Sequence, residues 1–585
     1  MKIFKYLFPV VIGVALFSCQ FLDPEEDGHN TNERLTTDPS FAEGFLMRGY
    51  LAMPTYNYRY DETGTDDAVS NSTNDGFRRM AIGEWSAANN AQDVWTNCYD
   101  GIMYINKFLE VVDIVPHRPS DPNIDKIFKL RLRGEAYAMR GILKYYLLLH
   151  HAGVSTDGQL LGTPIYDEFL EDSEGFTKPR ASFVDGVNSV YSDLDKALNS
   201  LPFDFGNIAD INDMPASYRS LTNDIEEYNF VCGIYTRQRV SGRIAQAFKA
   251  RMALLHASPA YNEGNNSLWE KAAESAALLL DDLGGVSQME PKGHEFFLGP
   301  QVSQCDVAAA GGGYDFPEFI WRKMREPVRG KEQEHFPPSI YGRGRMNPTQ
   351  NLVDAFPMAN GYPIGHANSN YDPSDPYADR DPRMDLYIVR NGGTLKGTMW
   401  TEVGNTDDGL NATINSTRTG YYMKKLIRGD VNVGPGSEFL NQEHVDVFVR
   451  YTEMFLAYAE AANEAWGPEG DPAKAYSPRD IIGAIRARAG IEAPDPYLAS
   501  ITTKEDMRTL IQNERRLELC FEGFRFWDLR RWNANMNEPA RGVRIENGTY
   551  TYFDVEPRAY QDYMRYGPIP RTEVVKFQLT QNRGW

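Results

Sequence analysis

The sequence predicts a mostly α-helical protein that carries one irregular, loop-rich lobe with short strands. Apolar residues recur at helical spacing over long stretches such as 95–109 and 127–150. Two alanine-rich stretches, 242–257 and 269–279, follow each other across a short loop, as in a pair of helices in close contact. Glycine and proline are frequent between residues 284 and 442, where helical periodicity is weak.

The composition is that of a folded, acidic protein. Of its 585 residues, 42% are hydrophobic and 24% are charged, and the length alone favours several domains. The formal net charge is −21. Nucleic acids and anionic membrane surfaces bind basic patches, so we expect no nucleic-acid partner.

The chain begins with a short apolar segment. Lys2 and Lys5 precede an apolar run over residues 6–17, which is too short to span a bilayer core of ~30 Å as a helix. The pattern is typical of a secretory signal peptide over residues 1–18. The run ends in L-F-S-C, which resembles a bacterial lipobox, so Cys19 is expected to be the lipidated first residue of the mature protein.

Five cysteines are scattered along the sequence: Cys19, Cys98, Cys232, Cys305 and Cys520. They form no C-x-x-C pair and no Cys/His cluster, which argues against a zinc site or a disulfide framework. Their spacing leaves the state of the last four open. We expect neither a metal nor another cofactor.

The helices can be followed in order after the start. Residues 41–53 have helical spacing, and Asn106 belongs to the helix that begins at Trp95. Ser182 is a suitable N-cap for the helix that ends before Pro202. A 34-residue consensus is absent, so the helix pairs amount to degenerate tetratricopeptide-like repeats.

The stretch from Gly64 to Gly76 is polar, reading T-D-D-A-V-S-N-S-T-N-D between its glycines. Hydroxyl and amide groups at this density suit a ligand-binding loop. A solvated loop fits the same composition, and composition alone favours it.

Residues 513–532 combine glutamates, arginines and large apolar side chains. The glutamates recur every four residues, so on one helix they would repel each other by about 0.2–0.5 kcal/mol per pair. We expect arginines of the same stretch to fold back and neutralise them, and a turn at Gly523. The predicted ion-pair cluster consists of Glu514, Arg515, Arg516, Glu518, Glu522, Arg525, Asp528, Arg530 and Arg531.

This cluster has a catalytic and a structural interpretation. The stretch contains no His or Cys pair, and Cys520 falls on its apolar side. Buried ion pairs often fix geometry and also perturb carboxylates, so we favour the structural interpretation.

The run E-R-R-L-E-L-C-F-E-G-F-R-F-W-D-L-R-R-W resembles the C-terminal signature of SusD-like (RagB/SusD) proteins. Further runs resemble the same family in the same order. They are R-x-E-A-Y-x-x-R at 133–140, E-F-I-W at 318–321, P-T-Q-N-L-V-D-A-F at 348–356, D-R-D-P-R at 379–383, and P-I-P-R-T-E-V-V-K-F-Q-L-T-Q-N-R-G-W at 568–585. The chain departs from the family after His151, where an insertion separates Gly153-Val154 from Pro164-Ile165.

The resemblance implies a lipid-anchored outer-membrane protein of Bacteroidetes on the extracellular side. Such proteins capture glycans for a SusC-like TonB-dependent transporter barrel, whose outer mouth they close like a lid. The implied fold is a single SusD-like unit over 36–585, with a helical scaffold at 36–283 and 443–585 and the lobe at 284–442. Residues 19–35 form the lipidated tether. Its acidic residues Asp23, Glu25, Glu26 and Asp27 resemble an outward-sorting signal and also suit a solvated linker.

An oligosaccharide site needs aromatic faces for the C–H faces of sugars and planar polar groups for the hydroxyls. In the family such sites lie on loops after the early helices and on the lobe. The matching candidates are Tyr58, Tyr60, Asp67, Asn71, Asn74, Trp85, Tyr314, Trp321, Arg322 and Tyr341. Each of them also has an interpretation as a core residue, which we favour for Trp321 because large aromatics usually pack.

Enzyme motifs are absent: the sequence has no G-x-S-x-G, H-E-x-x-H, phosphate loop or dinucleotide fingerprint. We therefore expect binding without catalysis. Among 81 acidic residues a glycosidase pair remains an alternative, since it needs only two carboxylates. A peptide-binding member of the family and a pure scaffold are further alternatives. The carboxylates of residues 372–381 suit Ca²⁺ but lack EF-hand spacing, and Arg380 and Arg383 would pair with them.

Overall fold

The computed structural model describes residues 32–54, 60–171, 175–305, 315–404, 406–435 and 440–585. The expectations for the signal peptide, for Cys19 and the acidic residues after it, and for Tyr58 and Tyr314 lie outside these residues.

The first half of the described chain contains ten helices, of which six have 14 or more residues. These are α1 (Asn32–Thr37), α2 (Pro39–Ala52), α3 (Gly76–Arg79), α4 (Trp95–Val111), α5 (Pro122–His151), α6 (Phe183–Ser200), α7 (Ala216–Arg219), α8 (Ile225–Cys232), α9 (Gly242–Ala257) and α10 (Leu268–Leu283). The predicted N-cap is confirmed, because the Ser182 hydroxyl accepts a hydrogen bond from the Asp185 backbone N–H at 3.0 Å.

The second half begins with short helices and returns to longer ones. They are α11 (Gly299–Val302), α12 (Gly330–His335), α13 (Gln350–Ala355), α14 (Arg383–Tyr387), α15 (Tyr451–Trp466), α16 (Pro478–Arg488), α17 (Pro496–Ser500), α18 (Lys504–Glu518), α19 (Arg525–Arg531) and α20 (Arg571–Phe577). The prediction of a mostly α-helical protein is confirmed. Among the described helices, none has both the length and the apolar character needed to cross a membrane.

The long helices form a scaffold in which each packs on the next. Helix α2 contacts α4, and the series continues through α5, α6, α9, α10 and α15 to α16 and α18. One hydrophobic core runs through this series, with Phe108, Leu143 and Leu456 fully buried in it. The helix pairs expected from the sequence therefore bury their apolar faces on one another, as repeat proteins do.

Helices α2, α4 and α5 meet at a small residue. A methyl group added at Gly101 would lie 2.5 Å from Cβ of Ala52 and 2.8 Å from Cδ1 of Leu143. Neither neighbour is free to move far in a close-packed core. The absent side chain at Gly101 thus sets the distance between these helices.

Pairs of short strands accompany the helices, and most of them lie among the loops of the lobe. The strands are β1 (Ala68–Ser70), β2 (Gly153–Val154), β3 (Leu160–Leu161), β4 (Phe319–Arg322), β5 (Glu326–Val328), β6 (Met346–Pro348), β7 (Ile388–Val389), β8 (Tyr422–Met423), β9 (Gln442–His444), β10 (Val447–Arg450), β11 (Ala540–Glu546) and β12 (Thr549–Glu556). They pair two by two and antiparallel: β1 with β6, β2 with β3, β4 with β10, β5 with β9, β7 with β8 and β11 with β12.

A second core holds the lobe together, and its members do not follow the expected boundary at residue 442. Phe336, Phe356 and Tyr421 are buried in this core together with Val543 and Ile545 of the β11–β12 hairpin. The hairpin was expected to belong to the helical scaffold. It joins the lobe instead, because the apolar face of β11 packs there.

Two alanine substitutions test the close helix approach. Gly101→Ala should lower the free energy of unfolding by about 1–3 kcal/mol, because its methyl group overlaps Ala52. Gly44→Ala, in α2, is the matched control: nothing lies within 4 Å of the added methyl, and helix propensity should raise stability by up to ~1 kcal/mol. Urea unfolding followed by circular dichroism measures both. Equal effects of the two changes would contradict the proposed role of Gly101.

Candidate functional site

The predicted tail cluster begins on α18 and continues through a turn. Helix α18 ends at Glu518, and Phe521 and Gly523 have φ angles of 63° and 84° before α19 begins. The predicted turn at Gly523 is confirmed. However, Glu522 lies in the turn, so the row of glutamates on one helix stops at Glu518.

The glutamates of the tail are neutralised by basic residues from other elements. Glu514 accepts hydrogen bonds from Arg486 at 2.7 Å and Arg383 at 2.9 Å. Glu518 pairs with Arg488 at 2.7 Å and also with Arg383 at 3.2 Å. The expectation that arginines of the same stretch neutralise these acids is therefore wrong.

Arg450 completes this network around the turn. It donates two hydrogen bonds of 2.8 Å to Glu522 and one of 2.8 Å to Glu318. Lys425 donates to Glu522 at 2.7 Å. Lys425 lies in the lobe and Arg450 precedes α15, so the network joins the lobe to the scaffold.

The arginines of the tail find their own partners. Arg516 donates to Asp67 at 2.7 Å, and Arg525 donates to Asp66 at 2.8 and 2.9 Å. Asp67 is fully buried and is thereby a structural partner, not a ligand contact. The stretch after Gly64 was expected to be solvated, but these ion pairs draw its first residues into the interior.

The remaining tail arginines lie around α19. Arg515 and Arg531 each donate to Asp528 at 2.8 Å, and Arg531 also donates to Glu460. Arg530 donates to the backbone carbonyl of Phe526 at 2.9 Å, and its guanidinium carbon lies 3.4 Å from the centre of that ring. Arg530 is therefore held by carbonyl and aromatic contacts.

Two buried carboxyl groups show opposite shifts. Burial alone would raise the pKa of Glu518, but Arg488, Arg450 and Arg383 outweigh burial and hold its pKa well below the ordinary value of 4.5. For Glu62, burial and the neighbouring Asp61 and Asp67 raise the pKa well above 4.5. Glu518 is thus charged in the folded protein and Glu62 favours its protonated form.

These shifts predict opposite pH dependences for two isosteric variants. Glu518 has a folded pKa below the unfolded value, so its contribution is full above pH 4.5 and is lost as the pH falls. Glu518→Gln should cost about 3–5 kcal/mol at pH 7, and the difference from wild type should shrink below pH 4.5.

Glu62→Gln is the matched buried control. The folded pKa of Glu62 lies above its unfolded value, so wild type should lose stability relative to this variant as the pH rises through 4.5. Urea unfolding between pH 4 and pH 8 measures both differences. Parallel pH profiles for the two variants would refute the assignment.

Three of the candidate ligand-binding residues are buried in the structure, and for Trp321 this agrees with the core interpretation that we favoured. Trp85 is 4% exposed and its ring lies 4.8 Å from that of Trp585. Trp321 is also 4% exposed and packs 4.8 Å from Phe448. Arg322 is buried and donates to Asp315 at 2.5 Å. Their large side chains fill the interior, and the sequence does not distinguish such packing from display on a surface.

Two other predicted residues meet on the surface of the lobe. The Tyr60 hydroxyl donates to Glu334 at 2.7 Å, and Glu334 accepts from Arg343 at 2.5 Å. The Asn71 amide donates to the Arg343 carbonyl at 2.9 Å, and its oxygen accepts from Arg345 at 3.0 Å. We call these five residues the polar rim.

Strand pairing explains why the polar rim forms. Strands β1 and β6 are antiparallel with Ser70 opposite Met346, so Asn71 and Arg345 lie at the same end of the pair. Two further predicted residues, Asn74 and Tyr341, are exposed. Tyr341 is 63% exposed and follows the rim helix α12 closely in sequence.

A cavity of about 130 Å³ lies next to the polar rim, between lobe and scaffold. Both His335 and Glu334 belong to α12: His335 lines the cavity, and its ring lies 5.5 Å from that of Tyr60. A water molecule needs roughly 10–15 Å³ of such space, so the cavity has room for about ten waters, a volume that suits one sugar ring. Aromatic side chains line it: Tyr145, Tyr146, Phe296, Phe448, Phe524 and Trp527.

Charged groups in the cavity wall are arranged in pairs. Arg251 donates to both oxygens of Glu453 at 2.6 and 2.7 Å, although 202 residues separate them. Lys331 pairs with Asp446 at 2.7 Å. The Arg251–Glu453 pair was not predicted, because no local pattern reveals partners so distant in sequence, whereas Arg515, Glu522, Asp528 and Arg531 of the cavity wall belong to the predicted ion-pair cluster.

Two of the carboxylates that line the cavity, Glu522 and Asp528, lack the raised pKa of a general acid. A general acid needs a raised pKa. Burial would raise the pKa of Glu522 and of Asp528, but Arg450 and Lys425 lower the first, and Arg515 and Arg531 lower the second, below their usual values.

Other chemistry finds little support in the described ranges. No group of three or more His, Cys, Asp or Glu side chains there could hold a metal ion. Cys98, Cys232, Cys305 and Cys520 are buried free thiols. Asp381, one of the carboxylates weighed for Ca²⁺, binds Arg383 at 2.6 Å.

The fold consists of a helical scaffold and a loop-rich lobe, with a cavity between them. Two family models match the chain: one described as "SusD family" over residues 318–585, and one described as "Starch-binding associating with outer membrane" over residues 20–213. The chain belongs to the SusD family, and the resemblance found in its sequence motifs is confirmed.

Similar proteins agree with this assignment. SusD-like protein P38 of Formosa agariphila is 33% identical over 107 residues, which are 18% of this chain and 19% of that protein. A SusD-like protein from Bacteroides fragilis superposes with a TM-score of 0.70 at 23% identity, covering 95% of this chain and 99% of that one. Surface glycan-binding protein A from Bacteroides fluxus gives a TM-score of 0.58 at 17% identity, covering 94% and 100%. These superpositions show the SusD-like fold.

Proposed function

We propose that the protein binds an oligosaccharide at the cell surface and delivers it, without cleavage, to a SusC-like TonB-dependent transporter barrel. The observation that carries the proposal is the cavity between lobe and scaffold, whose wall combines aromatic faces with a bidentate Arg251–Glu453 pair. Sugars need both kinds of contact. Membership of the SusD family and the names of its glycan-binding relatives support the same ligand class.

The cavity and the polar rim have complementary roles in this proposal. The aromatic wall takes the apolar face of one sugar unit. The polar rim beside it offers planar groups, Asn71, Arg343 and Arg345, to the hydroxyls of the next units. These groups already hydrogen-bond one another, so they are held in place before a ligand arrives, which lowers the entropic cost of binding.

Binding can be tested with a panel of soluble starch, xylan, galactomannan and alginate and their trisaccharides. Phe448→Ala removes an aromatic wall of the cavity, and Arg343→Ala removes an exposed group of the rim. Each should weaken trisaccharide binding about tenfold, since losses near 1.4 kcal/mol are common at such contacts. Calorimetry gives the affinity.

Arg133→Ala is the control for Arg343→Ala. Arg133 also forms a partly exposed ion pair, with Asp113 at 2.7 Å, but it lies on α5, and the cavity and rim do not include it. The Arg133→Ala variant should therefore bind the trisaccharide with the affinity of the wild-type protein. Failure of every glycan to bind, or steady release of reducing ends by the purified protein, would exclude the proposed function.

The lipid anchor follows from the same proposal. Cys19→Ala should move the protein from the membrane fraction to the soluble fraction and abolish incorporation of labelled palmitate. Cys305→Ala, which removes a buried free thiol, should change neither result. Continued membrane association of Cys19→Ala would refute the anchor.

A further inference from the structure

A second aromatic surface lies on the β11–β12 hairpin of the lobe. Tyr550 and Tyr552 are two residues apart on β12, opposite Ile545 and Val543 of β11, so both side chains lie along the edge where the hairpin meets the lobe. Tyr552 is 42% exposed, and Tyr550 is partly exposed. Tyr371, from the loop after α13, lies near Tyr552. We call these three residues the tyrosine surface. None of them lines the cavity.

The tyrosine surface is supported from below by buried groups. The ring of Tyr377 contacts that of Tyr550 edge to face at 5.7 Å. The Tyr377 and Tyr421 hydroxyls are 2.9 Å apart, and the Tyr421 hydroxyl donates to Gln350 at 2.6 Å. The exposed rings therefore rest on a hydrogen-bonded layer that limits their movement.

Charged groups frame this surface in balanced pairs. Arg541 pairs with Asp354 at 2.8 Å, and Arg390 pairs with Asp385 at 2.8 Å. Asp375 and Glu402 also lie near Tyr550. Together with the two Arg–Asp pairs, they give this surface more acidic than basic groups. Such a frame offers hydrogen bonds to hydroxyl groups and repels an anionic chain.

We propose that the tyrosine surface is a second carbohydrate-binding site, which holds a neutral polysaccharide chain while the cavity takes one end or branch. Rings two residues apart on a strand are about 6.6–6.8 Å apart along it, so both can stack on units of one chain. A tether at two sites raises the effective concentration of the chain at each. This inference rests on the proposed function.

The experiment compares long and short neutral glycans. Affinity gels that contain soluble starch, xylan or galactomannan first show which polymer the wild-type protein binds. For that polymer, Tyr552→Ala should lower the apparent affinity measured from gel retardation by at least about tenfold. The same variant should bind the matching trisaccharide as wild type does, because the cavity is unchanged. Tyr235→Ala is the matched control: Tyr235 is 75% exposed on the scaffold and its removal should alter neither result.

The possible results distinguish the second carbohydrate-binding site from the proposed function of the cavity. Loss of polymer binding alone in Tyr552→Ala, with trisaccharide binding lost in Phe448→Ala, supports two sites. Equal retardation of Tyr552→Ala and Tyr235→Ala overturns the second site and leaves the proposed function standing. Loss of trisaccharide binding in Tyr552→Ala also overturns it, since the tyrosines would then belong to the first site. If wild type binds no glycan, both proposals fall.

Discussion

The buried network of glutamates and arginines around Glu518 is the interaction on which the rest of the structure depends. Arg383 of the lobe, Arg450 and Arg488 all pair with Glu518 at the end of α18. Lobe and scaffold are therefore joined by one buried group of ion pairs. Burying charge is costly unless every group is paired, so the network tolerates only one relative position of these elements. Because Arg450 and Glu522 also line the cavity, the same pairs fix the shape of the proposed binding site.

This constraint explains why a site rich in carboxylates is suited to binding. Glu453 is held by both hydrogen bonds from Arg251, and Asp528 is shared by Arg515 and Arg531. Carboxylates held in this way keep fixed positions from which their oxygens can accept hydrogen bonds from hydroxyl groups. Aromatic walls supply the apolar contact. The cavity and rim thus fit the chemistry of a sugar, and the fixed ion pairs provide a site formed before the ligand arrives.

Much of the fold can be predicted from the sequence, because helical stripes and caps are local signals. The helix from Trp95, the cap at Ser182 and the turn at Gly523 follow from side chains within a few residues. The site is harder. Tyr60 and Asn71 were identified and do meet in the polar rim. Trp85 proved to be a core residue, as did Trp321, for which we favoured that interpretation. The sequence around an aromatic residue does not show whether its side chain is buried or exposed.

The sequence by itself determined the helical scaffold, the position of the irregular lobe and, through its motifs, the SusD family. Only the tertiary structure decided which charged residues pair. Glu514 binds Arg383 and Glu518 binds Arg488, while Arg516 binds Asp66 and Asp67 near the start of the chain. It also decided that Arg251 and Glu453 form an ion pair in the cavity wall. The physical reason is that periodicity and capping act within a few turns, whereas ion pairing and burial join residues that are hundreds of positions apart.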